Sequence, residues 1–181
     1  MKTYSGTNLK LNLGSGADCK KGYVNVDYYY DKADVKHNLN KYPYPFKTNS
    51  VEEVIISHTI RYIEDLIKFF KEMHRICKNK ATIKIIDAHY SNQQAFNDFL
   101  YKQHPLGTRS FLSIDATKVR EPMLKNLNFR MVKRKLVFKP SKNFMVRFIN
   151  WLANRKTTFS ERWISKIIPF EEVYIELQVI K

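Results

Sequence analysis

Residues 9–16 read LKLNLGSG, an alternating apolar and polar stretch that runs into a Gly-x-Gly turn. The alternation predicts a β-strand, and the turn ends it. Gly14 and Gly16 carry no Cβ, so the backbone after the strand can approach a ligand closely. Open α/β sheets bind ligands at the carboxyl ends of their strands, so this turn predicts a binding site.

An acidic residue ends the next predicted strand, YVNVD at residues 23–27. Asp27 is therefore placed to accept hydrogen bonds from ribose hydroxyls. A dinucleotide site would need Gly or Ala where Cys19 stands, and a helix whose N-terminus holds a pyrophosphate. Residues 17–22 leave room for one helical turn at most, which favours S-adenosylmethionine over NAD. A purely structural turn, with Asp27 as a cap, is the alternative.

The remaining pattern predicts an α/β fold with one mainly parallel sheet. Apolar residues at helical spacing predict a helix at 63–77, and Ser113 is expected to cap a second helix that runs toward Asn126. Further strands are predicted at 35–39, 51–57, 81–87, 129–138 and 173–180. We expect a single domain over residues 1–181, with a basic helical insertion at about 141–169 before the last strand.

Three stretches resemble the opening of class I, Rossmann-like methyltransferases of the type 11-like family. They are LNLGSG at 11–16, GYVNVD at 22–27 and NLNKYPYPF at 38–46, with weaker matches at Ser57-His58 and RICK at 75–78. The resemblance covers about residues 9–111. It implies a seven-stranded sheet with an antiparallel last strand, helices on both faces, and S-adenosylmethionine as cofactor. The sequence departs from the family pattern where Glu-His and Pro-Gly-Gly are usual, with Arg61-Tyr62 and Asn79-Lys80-Ala81.

The resemblance also implies which residues hold the cofactor. The backbone of the Gly turn would contact it, Asp27 would bind the ribose, and the adenine would lie near Asn38 and Leu39. The methionine end would lie near Ser57 and His58. The predicted cofactor-binding set is Asn12, Gly14, Ser15, Gly16, Asp27, Asn38, Leu39, Ser57 and His58.

Methyl transfer requires aligned reactants and, for some acceptors, removal of a proton. The candidates for that chemistry follow predicted strands four and five or lie in the later loop: His58, Asp87, His89 and His104. We expect His58 near the cofactor, and His89 and His104 facing the acceptor. A structural role is the alternative for both of the latter. The histidines lack metal-ligand spacing, so no metal is expected.

Charge is concentrated in one third of the chain. The whole chain has 32 Lys and Arg against 17 acids, a net charge of +15, and fourteen of those bases lie between Lys118 and Lys166 with two acids. This basic region predicts an anionic partner, either an anionic small-molecule or glycan acceptor, a nucleic acid or a lipid surface. A merely solvated surface is the alternative.

The segment 143–156 carries apolar residues along one side with Arg and Asn elsewhere. It could be a cationic amphipathic surface for anionic lipid or a polyanion, but we favour helices that pack on the sheet edge or cover the acceptor. A dimer contact is a third reading. Two separate cysteines, no signal peptide and no long apolar run indicate a cytoplasmic protein, with peripheral membrane contact as an alternative.

The sequence thus predicts an S-adenosylmethionine-dependent methyltransferase. Its expected acceptor is an oxygen or nitrogen atom of a small molecule, a sugar or a glycan precursor. The alternatives are a nucleic-acid methyltransferase that uses the basic region, or a cofactor-binding or membrane-associated module without activity.

Overall fold

The computed structural model describes residues 4–103, 105–117, 124 and 127–181. It contains seven strands and three α-helices within those ranges. The strands are β1 (Leu9–Leu13), β2 (Val24–Asp27), β3 (Val35–Lys36), β4 (Val51–Ser57), β5 (Cys77–Ala88), β6 (Phe129–Val137) and β7 (Glu172–Val179). The helices are α1 (Leu66–Ile76), α2 (Phe144–Arg155) and α3 (Thr157–Arg162).

One sheet contains all seven strands, in the order β3-β2-β1-β4-β5-β7-β6. Strands β1 to β5 run parallel, and β7 runs antiparallel to both of its neighbours. The expected parallel sheet with an antiparallel last strand is therefore confirmed. Because the first five strands run parallel, their carboxyl ends lie at one edge of the sheet, where the predicted site residues also lie.

The core consists of the central strands and the apolar face of α1. Leu11, Leu13 and Ile56 of the strands are fully buried, as are Phe69 and Met73 of the helix. The helix begins later than predicted because the Asp65 side chain caps it, accepting from the backbone N–H of Lys68 at 2.9 Å.

Three expectations for the elements need correction. The third strand is only Val35–Lys36, because the chain turns away after it. The connections 14–23, 28–34 and 37–50 contain turns without an α-helix, so helical cover of that half of the sheet is thinner than expected. The helix expected from Ser113 toward Asn126 is wrong over 115–117: a 3₁₀ turn ends at Ile114 and Asp115 then bridges to Phe129. Residues 118–123 and 125–126 lie outside the described residues.

The basic helical insertion is confirmed between β6 and β7. Helix α2 packs against β6, the edge strand, through two asparagines. Asn154 accepts from the backbone N–H of Leu136 at 2.9 Å and donates to its carbonyl at 2.7 Å, and Asn150 accepts from the N–H of Phe138 at 2.6 Å. These bonds satisfy the backbone groups that an edge strand leaves open. Within the described part of the chain, no helix is long and apolar enough to cross a membrane.

Candidate functional site

The Gly turn adopts a backbone that only glycine fits at its first position. Gly14 has φ of +66°, and a Cβ there would lie 2.2 Å from Cγ2 of Thr59 and 2.4 Å from its hydroxyl oxygen. Gly16 has φ of +46°, but a Cβ there would meet no atom within 4 Å. Glycine at position 14 therefore lets the turn pack against the residues that follow β4, whereas Gly16 faces open space.

Asp27 ties this turn to the end of β2. One carboxylate oxygen accepts from the backbone N–H of Gly16 at 2.9 Å, and the other accepts from Tyr29 and Tyr30 at 2.8 and 2.9 Å. Burial alone would raise the pKa of Asp27, but the backbone N–H donors outweigh it and hold the pKa below its usual value. The carboxylate is therefore ionised at neutral pH, and its Oδ2, which accepts from Gly16, has one further acceptor site for a ligand.

These residues border a cleft of about 540 Å³, here called the glycine-loop cleft. Its size lies within the range of small-molecule sites. Gly14, Gly16, Asp27, Asn38 and Leu39, all predicted to bind the cofactor, are among its lining residues. The other lining residues are Tyr28, Tyr29, His37, Asn40, Thr59, Tyr62, Ile63, Glu64, Leu100 and Lys102.

Two other predicted residues, Asn12 and Ser15, are buried beside the turn and do not line this cleft. The Asn12 amide donates to the carbonyl of Asp18 at 2.8 Å and to the side chain of Asn25 at 3.0 Å, so it braces the chain after the turn. The Ser15 hydroxyl is buried without a hydrogen-bond partner among the described residues. Such a group is costly unless something binds it, so it marks a position open to a further partner.

The segment after β4 separates this cleft from a second one. Thr59 and Tyr62 line the glycine-loop cleft, while His58 and Arg61 line the other. The second cleft has a volume of about 1010 Å³ and is called the His58 cleft here. Its further lining residues are Ala88, Ser91, Asn92, Gln93, Ala95, Tyr101, Phe138, Lys139, Ser165, Lys166, Ile167, Pro169, Phe170, Glu171 and Glu172.

His58 is held in the His58 cleft by Glu172, the first residue of β7. Its Nε2 lies 3.0 Å from Oε1 of Glu172, and its backbone adopts a φ of +51°, which is uncommon for a residue with a side chain. The hydrogen bond to Glu172 raises the pKa of His58, against the effect of burial. A histidine oriented by a carboxylate is an arrangement suited to moving a proton.

Asp87 is fully buried and contacts Arg61, which lines the His58 cleft. Its Oδ1 accepts from Nε of Arg61 at 2.6 Å, and the Arg61 guanidinium also donates to the carbonyl of Ala95 and stacks 3.6 Å over the ring of Tyr101. Burial raises the pKa of Asp87, and the neighbouring guanidinium opposes that rise. Its second oxygen has no hydrogen-bond partner among the described residues. Arg61 is the first of the two residues that stand where the resembled family usually has Glu-His.

His89, another of the predicted catalytic histidines, is not brought to this cleft. His89 is fully buried, with Nδ1 2.7 Å from the Ser91 hydroxyl and Nε2 3.4 Å from Glu161, and it does not line the His58 cleft. His104 lies outside the described residues. Ser57 ends β4 directly before the separating segment. No group of three or more His, Cys, Asp or Glu side chains within the described ranges could hold a metal ion.

Sequence reasoning missed Glu172 and the role of Arg61. Glu172 lies more than a hundred residues after His58, and the two meet because β7 pairs antiparallel with β5, which puts Glu172 opposite Ala88 at the carboxyl end of β5. The one available signal was an acid at the start of the last strand. For Arg61, the signal was a cation in place of the Glu that is usual in the resembled family, four residues after the end of β4.

Residues 14–85 match the family model described as a methyltransferase domain. Among curated proteins, a 2-phytyl-1,4-naphtoquinone methyltransferase of Nostoc sp. (strain PCC 7120) is 33% identical over 55 residues. That alignment covers 30% of this chain and 24% of the relative, so it spans about a quarter of the relative's length.

Similar solved structures extend over nearly the whole chain. An S-adenosylmethionine-dependent methyltransferase from Archaeoglobus fulgidus has a TM-score of 0.57 at 19% identity, covering 96% of this chain and 86% of its own. Geranyl diphosphate C-methyltransferase from Streptomyces coelicolor, solved with S-adenosyl-L-homocysteine, also scores 0.57, at 15% identity and coverage of 98% and 76%. The expected class I, Rossmann-like fold is confirmed by these similarities.

Proposed function

We propose that this chain is an S-adenosylmethionine-dependent methyltransferase of class I, which the match of residues 14–85 to the methyltransferase domain and the similar sheet support. The observation that carries the proposal is the joining of the Gly turn to the ionised Asp27 at the rim of the glycine-loop cleft. A second, separate cleft, which borders the same dividing segment, would then take the acceptor.

The residues of the glycine-loop cleft fit this cofactor better than a dinucleotide. Asp27 and Glu64 are negative and only Lys102 is a full positive charge among its lining residues. The sulfonium and ammonium groups of S-adenosylmethionine suit such a cleft, whereas a pyrophosphate would be repelled. Asp27 would accept from the ribose hydroxyls, and Asn38 and Leu39 would border the adenine.

The cofactor supplies the methyl group and, through its sulfonium, the driving force for transfer. The chain supplies orientation and proton removal. His58 faces the cleft with its ring fixed by Glu172, so its free nitrogen is available to take a proton from an acceptor hydroxyl or amine. Glu172 would stabilise the imidazolium that forms, as the carboxylate does in other histidine bases.

We propose that the acceptor is an oxygen or nitrogen atom of a small molecule, a sugar or a glycan precursor. The His58 cleft is large enough for such a molecule, and Ser91, Asn92 and Gln93 offer polar groups along it. Lys139 and Lys166 line the cleft together with Glu171 and Glu172, and the two lysines would bind a negatively charged group of the acceptor.

Calorimetric titration with S-adenosylmethionine and S-adenosylhomocysteine, with NAD for comparison, tests the cofactor assignment. We expect binding of both sulfur ligands and not of NAD. Asp27→Asn should weaken binding about tenfold or more, because hydrogen bonds to a charged group contribute about 1.5–3 kcal/mol. Asp18→Asn, an exposed acid nearby that lines neither cleft, should bind as the wild type does. Folded wild-type protein that binds neither sulfur ligand would refute the proposal.

Transfer of a labelled methyl group to candidate acceptors tests the proposed roles of His58 and the His58 cleft. His58→Asn should lose most of the transfer rate, since a positioned base contributes about 10²–10⁴-fold. Its cofactor affinity should stay near that of the wild type, because His58 lines the other cleft. An unchanged transfer rate in His58→Asn would rule out His58 as the base and leave the cofactor assignment intact.

A further inference from the structure

Helix α2 presents its polar side to the protein. Asn150 and Asn154 bind the edge strand, and Ala153 is the one buried apolar residue of the helix. A helix on the surface of a water-soluble protein normally turns its apolar side to the core. In α2 this arrangement is reversed: Asn150 and Asn154 face the protein, and the exposed apolar residues lie on the opposite side of the helix.

Exposed apolar side chains are also present in the segment that follows α2. At 100° per residue, the exposed apolar side chains of α2, which are all but Val146 and Ala153, fall within an arc of about 160°. Phe144 is 81% exposed, Trp163 61% and Ile167 84%. The C-terminal apolar face is defined here as these exposed residues together: Phe144, Met145, Phe148, Ile149, Trp151, Leu152, Phe159, Trp163, Ile167 and Ile168. Soluble monomers rarely expose so many neighbouring large apolar side chains, so this face calls for a partner.

The charge around the face is positive. Residues 139–168 contain seven Lys and Arg and one acid. That acid, Glu161, is buried, and its carboxylate accepts from the backbone N–H and the hydroxyl of Thr108 at 2.6 and 2.5 Å. Its charge is therefore used inside the protein. Arg155 lies 5.1 Å from the ring of Trp151 and Lys166 lies 5.2 Å from that of Trp163, so cations and aromatic rings alternate on the same surface.

We propose that the C-terminal apolar face docks the protein on a bilayer surface that carries anionic lipids. Aromatic and aliphatic side chains would enter the boundary between headgroups and acyl chains, and the flanking Lys and Arg would bind lipid phosphates. A second copy of the chain fits less well, because a twofold interface would bring this positive surface against itself. A nucleic acid would satisfy the charges but offers nothing to Met145, Ile149, Leu152 and Ile167.

The docked face lies next to the His58 cleft. Ile167 belongs to both, its neighbour Lys166 lines the cleft, and Phe138 and Lys139 line the cleft just before α2. A molecule anchored in the bilayer could thus present a polar headgroup to the cleft. The acceptor is then an amphiphile with an anionic headgroup. This identification of the acceptor rests on the proposed methyltransferase function.

Flotation with vesicles tests the docking. We expect the full chain to float with phosphatidylcholine vesicles that contain a quarter phosphatidylglycerol, and to stay behind with phosphatidylcholine alone. Phe144→Ser/Trp163→Ser should lower the partition coefficient about tenfold or more, because each loses a side chain that the bilayer would bury. Each change of Lys142→Gln or Arg147→Gln should lower it about fivefold.

The matched control is Phe99→Ser, since Phe99 is 91% exposed but lies outside the face. It should float as the wild type does. Equal flotation of wild type and Phe144→Ser/Trp163→Ser would overturn the proposal, as would absence of flotation with anionic vesicles. So would a dimer in sedimentation equilibrium that this double variant dissociates. Cofactor titration of the same variants separates the two proposals: vesicle binding without cofactor binding overturns the proposed function alone, and the reverse overturns the docking alone.

Discussion

Three glycines with positive φ allow the cost of a close contact to be separated from the cost of backbone strain. Gly14, Gly16 and Gly22 have φ of +66°, +46° and +82°. An alanine Cβ at Gly22 or Gly16 meets nothing within 4 Å, whereas at Gly14 it would lie 2.2 Å from Thr59. Left-handed backbone costs a residue with a Cβ about 1–2 kcal/mol, and overpacking costs about 1–3 kcal/mol more.

We therefore expect Gly22→Ala and Gly16→Ala to lower the free energy of unfolding by about 1–2 kcal/mol each. Gly14→Ala should lower it by about 2–5 kcal/mol, because it adds the clash with Thr59 to the strain. Urea denaturation followed by circular dichroism measures all three values. Thr59→Ala in the Gly14→Ala background should recover part of the loss, since it removes the two closest atoms.

The same series separates folding from binding. Gly16→Ala and Gly22→Ala should be equally stable, but only Gly16 lines the glycine-loop cleft and donates its N–H to Asp27. Calorimetry should therefore find weaker S-adenosylmethionine binding in Gly16→Ala than in Gly22→Ala. Equal losses of stability at Gly14 and Gly22 would refute the packing argument. Equal affinities of the Gly16 and Gly22 variants would refute the placement of the cofactor.

Three further predictions concern the contacts that join distant parts of the chain. Asp87→Leu should destabilise the protein by about 3–5 kcal/mol, because it leaves the Arg61 guanidinium buried without its carboxylate partner, while Arg61→Leu/Asp87→Leu should lose less. A double-mutant cycle with the single variants Arg61→Leu and Asp87→Leu, measured by denaturation, checks this, and strict additivity would contradict it. Glu172→Gln should lower the His58 pKa in an NMR titration, and an unmoved pKa would show that the pair does not form. The wild type should be more stable than this variant below pH 6.5, the ordinary pKa of histidine, and this difference should vanish as pH rises through the raised pKa of His58. Asn154→Ala should lower the free energy of unfolding by about 1–3 kcal/mol, because it leaves the backbone N–H and carbonyl of Leu136 without their partner. Thermal unfolding measures this, and an unchanged melting temperature would contradict the packing of α2 on β6.

The sequence by itself determined the strands and the Gly turn that ends the first of them. Alternation of apolar and polar residues is a local signal, and so are a glycine pair after a strand and an acid at the end of the next. Asp27 and the turn could be placed together because parallel neighbouring strands end at the same edge of a sheet. The apolar residues, asparagines and charges of 143–156 also predicted an amphipathic helix.

The tertiary structure alone decided which side chains meet across the chain and which way that helix faces. His58 and Glu172 come together through the antiparallel pairing of β5 with β7, and no local pattern encodes that pairing. The apolar side of α2 predicted burial, but the edge strand needed hydrogen bonds, so the asparagines turned inward and the aromatic residues turned to solvent. Periodicity shows that a helix has an apolar and a polar side. The unpaired backbone groups beside α2 determine which of these sides packs against the protein.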